Sequence, residues 1–174
     1  MKPKILISAC LMGQPVRYDG NSNEAKVSAC AQQLSQWQQQ QRLVPVCPEI
    51  LGGLPTPRPA AEIHQQRVIT RQGQDVTAAF IAGAEKTVAI ARQQGVTAAL
   101  LAARSPSCGS DGIYNGEFTG TLIAGMGITV QQLEQAGVRC FSPENFDQLC
   151  AYIQQREHTS QQQEHTSPQP DQQP

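Results

Sequence analysis

With 174 residues, 39% of them hydrophobic, six cysteines and a formal net charge of -1, the chain is long enough for one buried core and short for two, so it does not call for the disulfide framework of small secreted chains. A charge balance this close to neutral offers no long-range attraction to nucleic acid or an anionic membrane, which leaves a small molecule as the expected partner. The apolar run near the start passes straight into Gln14, Pro15 and Arg17 without a cleavage site, and no run reaches the roughly 18 apolar residues of a membrane span, so a reducing cytoplasmic setting is expected.

Lys4 to Ser8 is a short β-branched run closed by small residues, the pattern of a buried strand, and Cys10 lies just past its end. Residues Glu24 to about Gln41 carry good helix formers and predict one helix. Arg42 to Val46 reads as a second strand; Pro45 cannot donate to a ladder, which favours an edge position. Cys47 ends that strand. From Pro48 to Glu62 two adjacent glycines and repeated prolines predict a long stiff loop without regular structure, and long ordered loops in compact domains are usually functional. A small hairpin or turn is expected over 68–76. Phe80, Ala84, Val88 and Ala91 then recur at helical spacing, with Gly95 to stop the helix.

Ala98 to Ala102 forms the third predicted strand, with Ser105-Pro-Ser-Cys108-Gly109 at its end. Residues 112–127 are glycine-rich and read as a structured loop. A helix over Thr129 to Ala136, a fourth strand over Val138 to Phe141 and a closing helix from Pro143 to about Gln155 complete the pattern. The last residues repeat Glu-His-Thr-Ser among Gln and Pro with almost nothing apolar to bury, which predicts a disordered tail over 157–174 carrying solvated His158 and His165.

Strands alternating with helices imply right-handed crossovers, and so a single α/β domain over residues 1–156 with a mostly parallel sheet of about four strands, a three-layer Rossmann-like or flavodoxin-like fold. Ligands of such sheets bind beyond the carboxyl ends of the strands. Cys10, Cys47 and Cys108 each follow a different predicted strand on that edge. Their spacing matches no metal motif, but three soft thiolates suit zinc or an iron–sulfur cluster rather than magnesium or calcium. Cys140 is a possible fourth ligand, although its place inside a strand favours a buried structural thiol. Cys30 and Cys150 fall in predicted helices and read as structural too.

The segments SACLMGQPVRYDG, LVPVCPEILGGLPTPRPAAEI and RSPSCGSDGIYNGEFTG resemble the DUF-523 family, which includes thiouracil desulfurase; the resemblance runs from about residue 3 to residue 150. It implies that Cys10, Cys47 and Cys108 carry a 4Fe-4S cluster whose fourth iron is open to an incoming sulfur. It implies the α/β fold as well. Two positions depart from the family pattern: Ala102, where a lysine is frequent, and Pro143, where a glutamate is.

Glu49, two residues past Cys47, is the candidate general acid/base at the cluster mouth. Ser105 and Ser107 flank Pro106 beside Cys108 and could bind substrate or water, or merely hold the turn. Arg17, Arg58 and Arg104 lie near the motif loops as candidate substrate-binding cations, with ion pairs to Asp19 or Glu62 as the plainer role. Tyr18 could stack on a heterocycle. The expected activity is non-redox desulfidation of a thiouracil-like nucleobase. Sulfur transfer from the cluster to an acceptor, and a non-catalytic iron or redox sensor, are the alternatives; the sequence does not specify an oligomeric state.

Overall fold

The computed structural model describes residues 2–165. In chain order, β1 (Ile5–Ser8) runs into a tight helical turn at Ala9–Met12, and a second such segment at Glu24–Cys30 leads into α1 (Ala31–Gln39). β2 (Leu43–Val46) is followed by the single turn α2 (Pro48–Leu51), then by β3 (Ala61–His64) and β4 (Arg67–Thr70). After α3 (Thr77–Gln93) come β5 (Ala98–Leu100), β6 (Ile113–Tyr114), β7 (Leu122–Ile123), α4 (Ile128–Gln135) and β8 (Arg139–Phe141). A turn at Pro143–Asn145 opens the last helix, α5 (Phe146–His165).

Four strands make one parallel sheet in the order β2-β1-β5-β8. The expected three-layer α/β architecture is therefore present, in the order of a flavodoxin-like sheet. β1 is central; Ile5, Leu6 and Ile7 are fully buried between helical layers, which is why the strand is continuously apolar rather than alternating. β2 lies at the edge, with Pro45 exposed, where its missing N–H costs no ladder bond. Right-handed crossovers place α3 and α4 together on one face and α1 and α5 on the other, where Trp37 of α1 meets Phe146 of α5 at 5.7 Å between ring centroids. Among the described residues no helix is long and apolar enough to cross a membrane.

Four expectations are corrected. The helix predicted over Glu24 to Gln41 is broken: its first half is a tight helical segment interrupted at Val27, which has φ -114 and ψ 15, and regular α-helix starts only at Ala31. The segment 48–62 is not wholly irregular, because Pro48 occupies the first turn of α2, where a proline's fixed φ suits a helix start, and Ala61 already belongs to β3. The hairpin β3–β4 turns through Gln65 and Gln66, both at positive φ (47 and 69); with no Asn-Gly at that turn, the usual hairpin signal is missing. Lastly, α5 continues to His165, past the helix end expected near Gln155 and the tail boundary at 157. Glutamine and glutamate propagate a helix at little cost, and Glu157 is held at 2.7 Å by the buried Arg42 guanidinium. His158 is exposed on that helix. The rest of the predicted tail, 166–174, lies outside the described residues.

Candidate active site

The chain leaves β1 and turns back to form β2 at one edge, then crosses to β5 on the other side of β1, so the order reverses between β1 and β5. This is the switch point at which open α/β sheets bind ligands. Cys10 follows β1, Cys108 follows β5 and Cys47 follows β2, and all three line one cavity of about 690 Å³. All are free thiols. Burial pushes Cys10 up to about 11, its neighbour Cys47 adding to the rise. Burial likewise raises the thiols of Cys47 and Cys108, and Cys10 adds to the rise at Cys108. The three sulfurs thus feel one another across a desolvated space.

Local bonds hold each sulfur in place. Asn23 donates from its backbone N–H to the Cys10 carbonyl at 2.7 Å and from its side-chain amide toward the Cys10 sulfur at 3.9 Å. Cys47 Sγ donates toward the Val16 carbonyl at 3.9 Å. Ser8, at the carboxyl end of β1, accepts the Ala102 N–H at 3.0 Å, and its hydroxyl also bonds Cys108, tying β1 to β5 across the switch point. The α2 turn that follows Cys47 rests on α3 at a contact between glycines: a Cβ on Gly52 would collide with the Ala79 carbonyl, and one on Gly83 with the Pro48 carbonyl. Only hydrogen at both positions lets the two backbones come so close.

Glu49, on α2, lines the same cavity. Its Oε2 receives both Arg58 Nε at 2.7 Å and Arg58 Nη2 at 2.6 Å, an ion pair whose side chains are only 16% and 6% exposed. Oε1 has no protein partner among the described residues. Opposite the sheet edge, the cavity is walled by residues of the two hairpins β3–β4 and β6–β7, including Glu62, Arg71, Tyr114 and Phe118.

A family model for 2-thiouracil desulfurase matches residues 5–145. The chain belongs to the 2-thiouracil desulfurase family. It is 37% identical over 155 residues to the uncharacterized protein YbbK of Bacillus subtilis (strain 168), covering 83% of this chain and 99% of that one. It is also similar to the solved structure of the 4Fe-4S-dependent thiouracil desulfidase TudS (DUF523), at 44% identity and a TM-score of 0.83, covering 88% of this chain and 99% of that one. The family resemblance read from the three cysteine-bearing segments therefore extends over most of the chain.

Within this member of the 2-thiouracil desulfurase family, the structure brings together Cys10, Cys47, Cys108, Glu49, Arg17, Tyr18, Arg58, Arg104 and Ser105 as cavity lining. It does not bring Ser107 there. Ser107 is 1% exposed and shares a hydrogen bond of 2.8 Å with Thr129, tying the cysteine loop to α4. Ser105 does line the cavity, while its Oγ accepts the N–H groups of Ser107 and Cys108 at 3.0 and 3.1 Å. Arg58 lines the cavity with its guanidinium bonded to Glu49, to the Pro55 and Val16 carbonyls and to Thr56. Arg17 bonds Asn23 and pairs with Asp19 at 3.0 Å, the plainer role weighed for it. Among the described residues Glu62 pairs with no arginine. Cys140 lies in β8 with its thiol directed at the Val138 carbonyl, and Cys30 and Cys150 sit on the α1 and α5 side, packed against the core.

Asn23, Ser8, Arg71, Tyr114, Phe118 and Glu144 line the cavity without having been singled out in the sequence. Glu144 stands one residue past Pro143, with its carboxylate 4.0 Å from Arg104. Ser8 was in principle readable, as a small polar residue ending an otherwise apolar strand. The wall residues carried no such mark.

Proposed function

We propose that this chain removes sulfur from a thiolated nucleobase of the thiouracil class, without net redox change, at a 4Fe-4S cluster held by Cys10, Cys47 and Cys108. The observation that carries the reading is the convergence of three free thiols and the Glu49 carboxylate, from three strand ends, on a single cavity at the switch point. The name of the similar TudS structure supports the same cofactor and substrate class.

The donor set fits a cluster. The thiols are close enough to raise one another's pKa, yet among the described residues no three Cys, His, Asp or Glu side chains close on a single metal ion. A cluster is wider than one ion and takes soft thiolates at separate irons. When bound there, it would supply an iron with an open position, a Lewis acid for a thiocarbonyl sulfur.

The chain's own residues then do the rest. Arg58 pins Oε2 of Glu49 and leaves Oε1 to take a proton from water as that water adds to the thiocarbonyl carbon. The C–S bond breaks, a carbonyl forms, and sulfur departs as hydrogen sulfide with both protons of the water, so no electrons are exchanged. Ser105, whose oxygen is already satisfied by two N–H donors, keeps its hydroxyl hydrogen for the substrate.

The test is anaerobic reconstitution, iron and sulfide analysis, and incubation with 2-thiouracil. The expected outcome is about four irons per chain, with uracil and hydrogen sulfide formed in equal amounts. Fully loaded protein that leaves 2-thiouracil intact would overturn the proposal.

A further inference from the structure

The wall opposite the sheet edge is built from two short hairpins, and its phenylalanine is held in a conformation an aromatic side chain does not favour. Phe118, between β6 and β7, has φ +55, a left-handed backbone seldom adopted by a bulky residue. Such a conformation persists only where its surroundings over-determine it, and such positions cluster at ligand sites. Here the surroundings are explicit. Glu62, 8% exposed, accepts the N–H groups of both Gly116 and Phe118 on one carboxylate oxygen, each at 3.0 Å. Gly116 lies so tightly on Ile63 and His64 of β3 that a Cβ would strike them. The two hairpins are thus locked together with Phe118 in the cavity lining.

The Arg71 guanidinium sits 5.4 Å from the centroid of the Phe118 ring, and it differs from the other arginines of the cavity. Arg17 faces Asp19, Arg58 faces Glu49 and Arg104 faces Glu144. Among the described residues Arg71 has no carboxylate partner, so its N–H groups remain available. One wall therefore offers an aromatic surface and an unspent donor fork.

We infer that Phe118 and Arg71 are the specificity-determining pair of this cavity, Phe118 stacking on a planar heterocycle and Arg71 donating to the carbonyl oxygen that the heterocycle keeps beside its thiocarbonyl. This rests on the desulfidation reading. An oxo-thioxo pyrimidine is flat, uncharged and carries one such oxygen, so it matches both groups. Glu62 is a positioning residue that acts through the backbone of Phe118.

The experiment uses anaerobically reconstituted full-length protein and two readouts, steady-state turnover of 2-thiouracil and retention of uracil in equilibrium dialysis. Uracil has the ring and the oxygens without sulfur, so it reports the wall apart from the iron. Phe118→Gly removes the ring while easing the backbone, because glycine accepts φ +55 freely; its Tm should not fall. Retention of uracil should weaken roughly tenfold, in line with the loss of one stacked ring, and the loss in turnover should fall on KM rather than kcat. Phe118→Tyr should restore both. Arg71→Met should raise KM and weaken uracil retention in the same sense. If the parent turns over 2-thiouracil and Phe118→Gly matches it in KM and in uracil retention, this inference alone is overturned. A loaded parent that neither turns over 2-thiouracil nor retains uracil would overturn the desulfidation reading along with it.

Discussion

At the sheet edge of the cavity the polar groups are largely spent on one another: Arg58 on Glu49, Arg17 on Asp19 and Asn23, and the Ser105 oxygen on two N–H groups. On the hairpin wall the reverse holds, for Glu62 is spent on backbone and Arg71 is left with a ring for company. The edge is rigid because parallel strands and crossovers fix where each loop starts, and side chains locked by neighbours suit a reacting centre. The wall keeps donors free among the described residues, as a surface that recognises a ligand does. On the function proposed above, chemistry and recognition fall to different elements of one cavity.

The largest effect that would test this division concerns the sulfurs. Alanine at Cys10, Cys47 or Cys108 should reduce bound iron to background after reconstitution, while alanine at Cys30 or Cys150, which pack on the α1 and α5 side, should leave it at the parent level. Iron content near the parent's in all three cavity variants would remove the reacting centre from this edge.

Next comes the carboxylate. Glu49→Gln keeps the shape and a polar partner for Arg58 but cannot take a proton from water at neutral pH. Turnover of 2-thiouracil should fall by roughly 10²–10⁴-fold, with iron content and Tm retained. A variant with full iron and full activity would shift the proton transfer to another group of the cavity.

A smaller effect should come from the support beneath Glu49. Gly83→Ala forces a Cβ against the Pro48 carbonyl, an overpacking that costs about 1–3 kcal/mol and lowers Tm by on the order of 5 °C. Because the strain falls on the turn that follows Cys47, iron retention should weaken as well. An unchanged Tm would mean that α2 and α3 separate easily and that the edge is less rigid than argued.

The smallest effect is expected on the wall. Glu62→Gln keeps an oxygen for the N–H groups of Gly116 and Phe118 but removes the charge from those bonds, a loss of about 1 kcal/mol that thermal denaturation would register as a few degrees. The cost in turnover should appear in KM. A fall in kcat with KM unchanged would place Glu62 with the reacting groups and dissolve the distinction between edge and wall.

How much of this could be read beforehand differs between the two regions for the same physical reason. β1, α3 and β5 are long or strongly apolar elements whose patterns follow from being buried in one parallel sheet, and the residues just past β1, β2 and β5 inherit a known place at the ligand edge. Cys10, Cys47, Cys108 and Glu49 were therefore legible from periodicity, with the family resemblance supplying their meaning. Ser105 and Ser107 look alike in sequence, which left binding or turn-holding open for both; only the packing of α4 shows that Thr129 takes the second hydroxyl inward.

The wall could not be read in the same way. β6 and β7 are two residues each, too short for any alternation to emerge, and the β3–β4 turn uses glutamines where a hairpin would advertise glycine or asparagine. Sequence by itself determined the alternation of strands and helices, the edge at which the thiols gather and the family to which the chain is similar, because those depend on local pattern and chain order. Tertiary structure alone decided that Glu62 clamps a strained Phe118 beside Arg71, since residues 62, 71 and 118 are brought together by contacts between separate hairpins, and no local periodicity encodes such contacts.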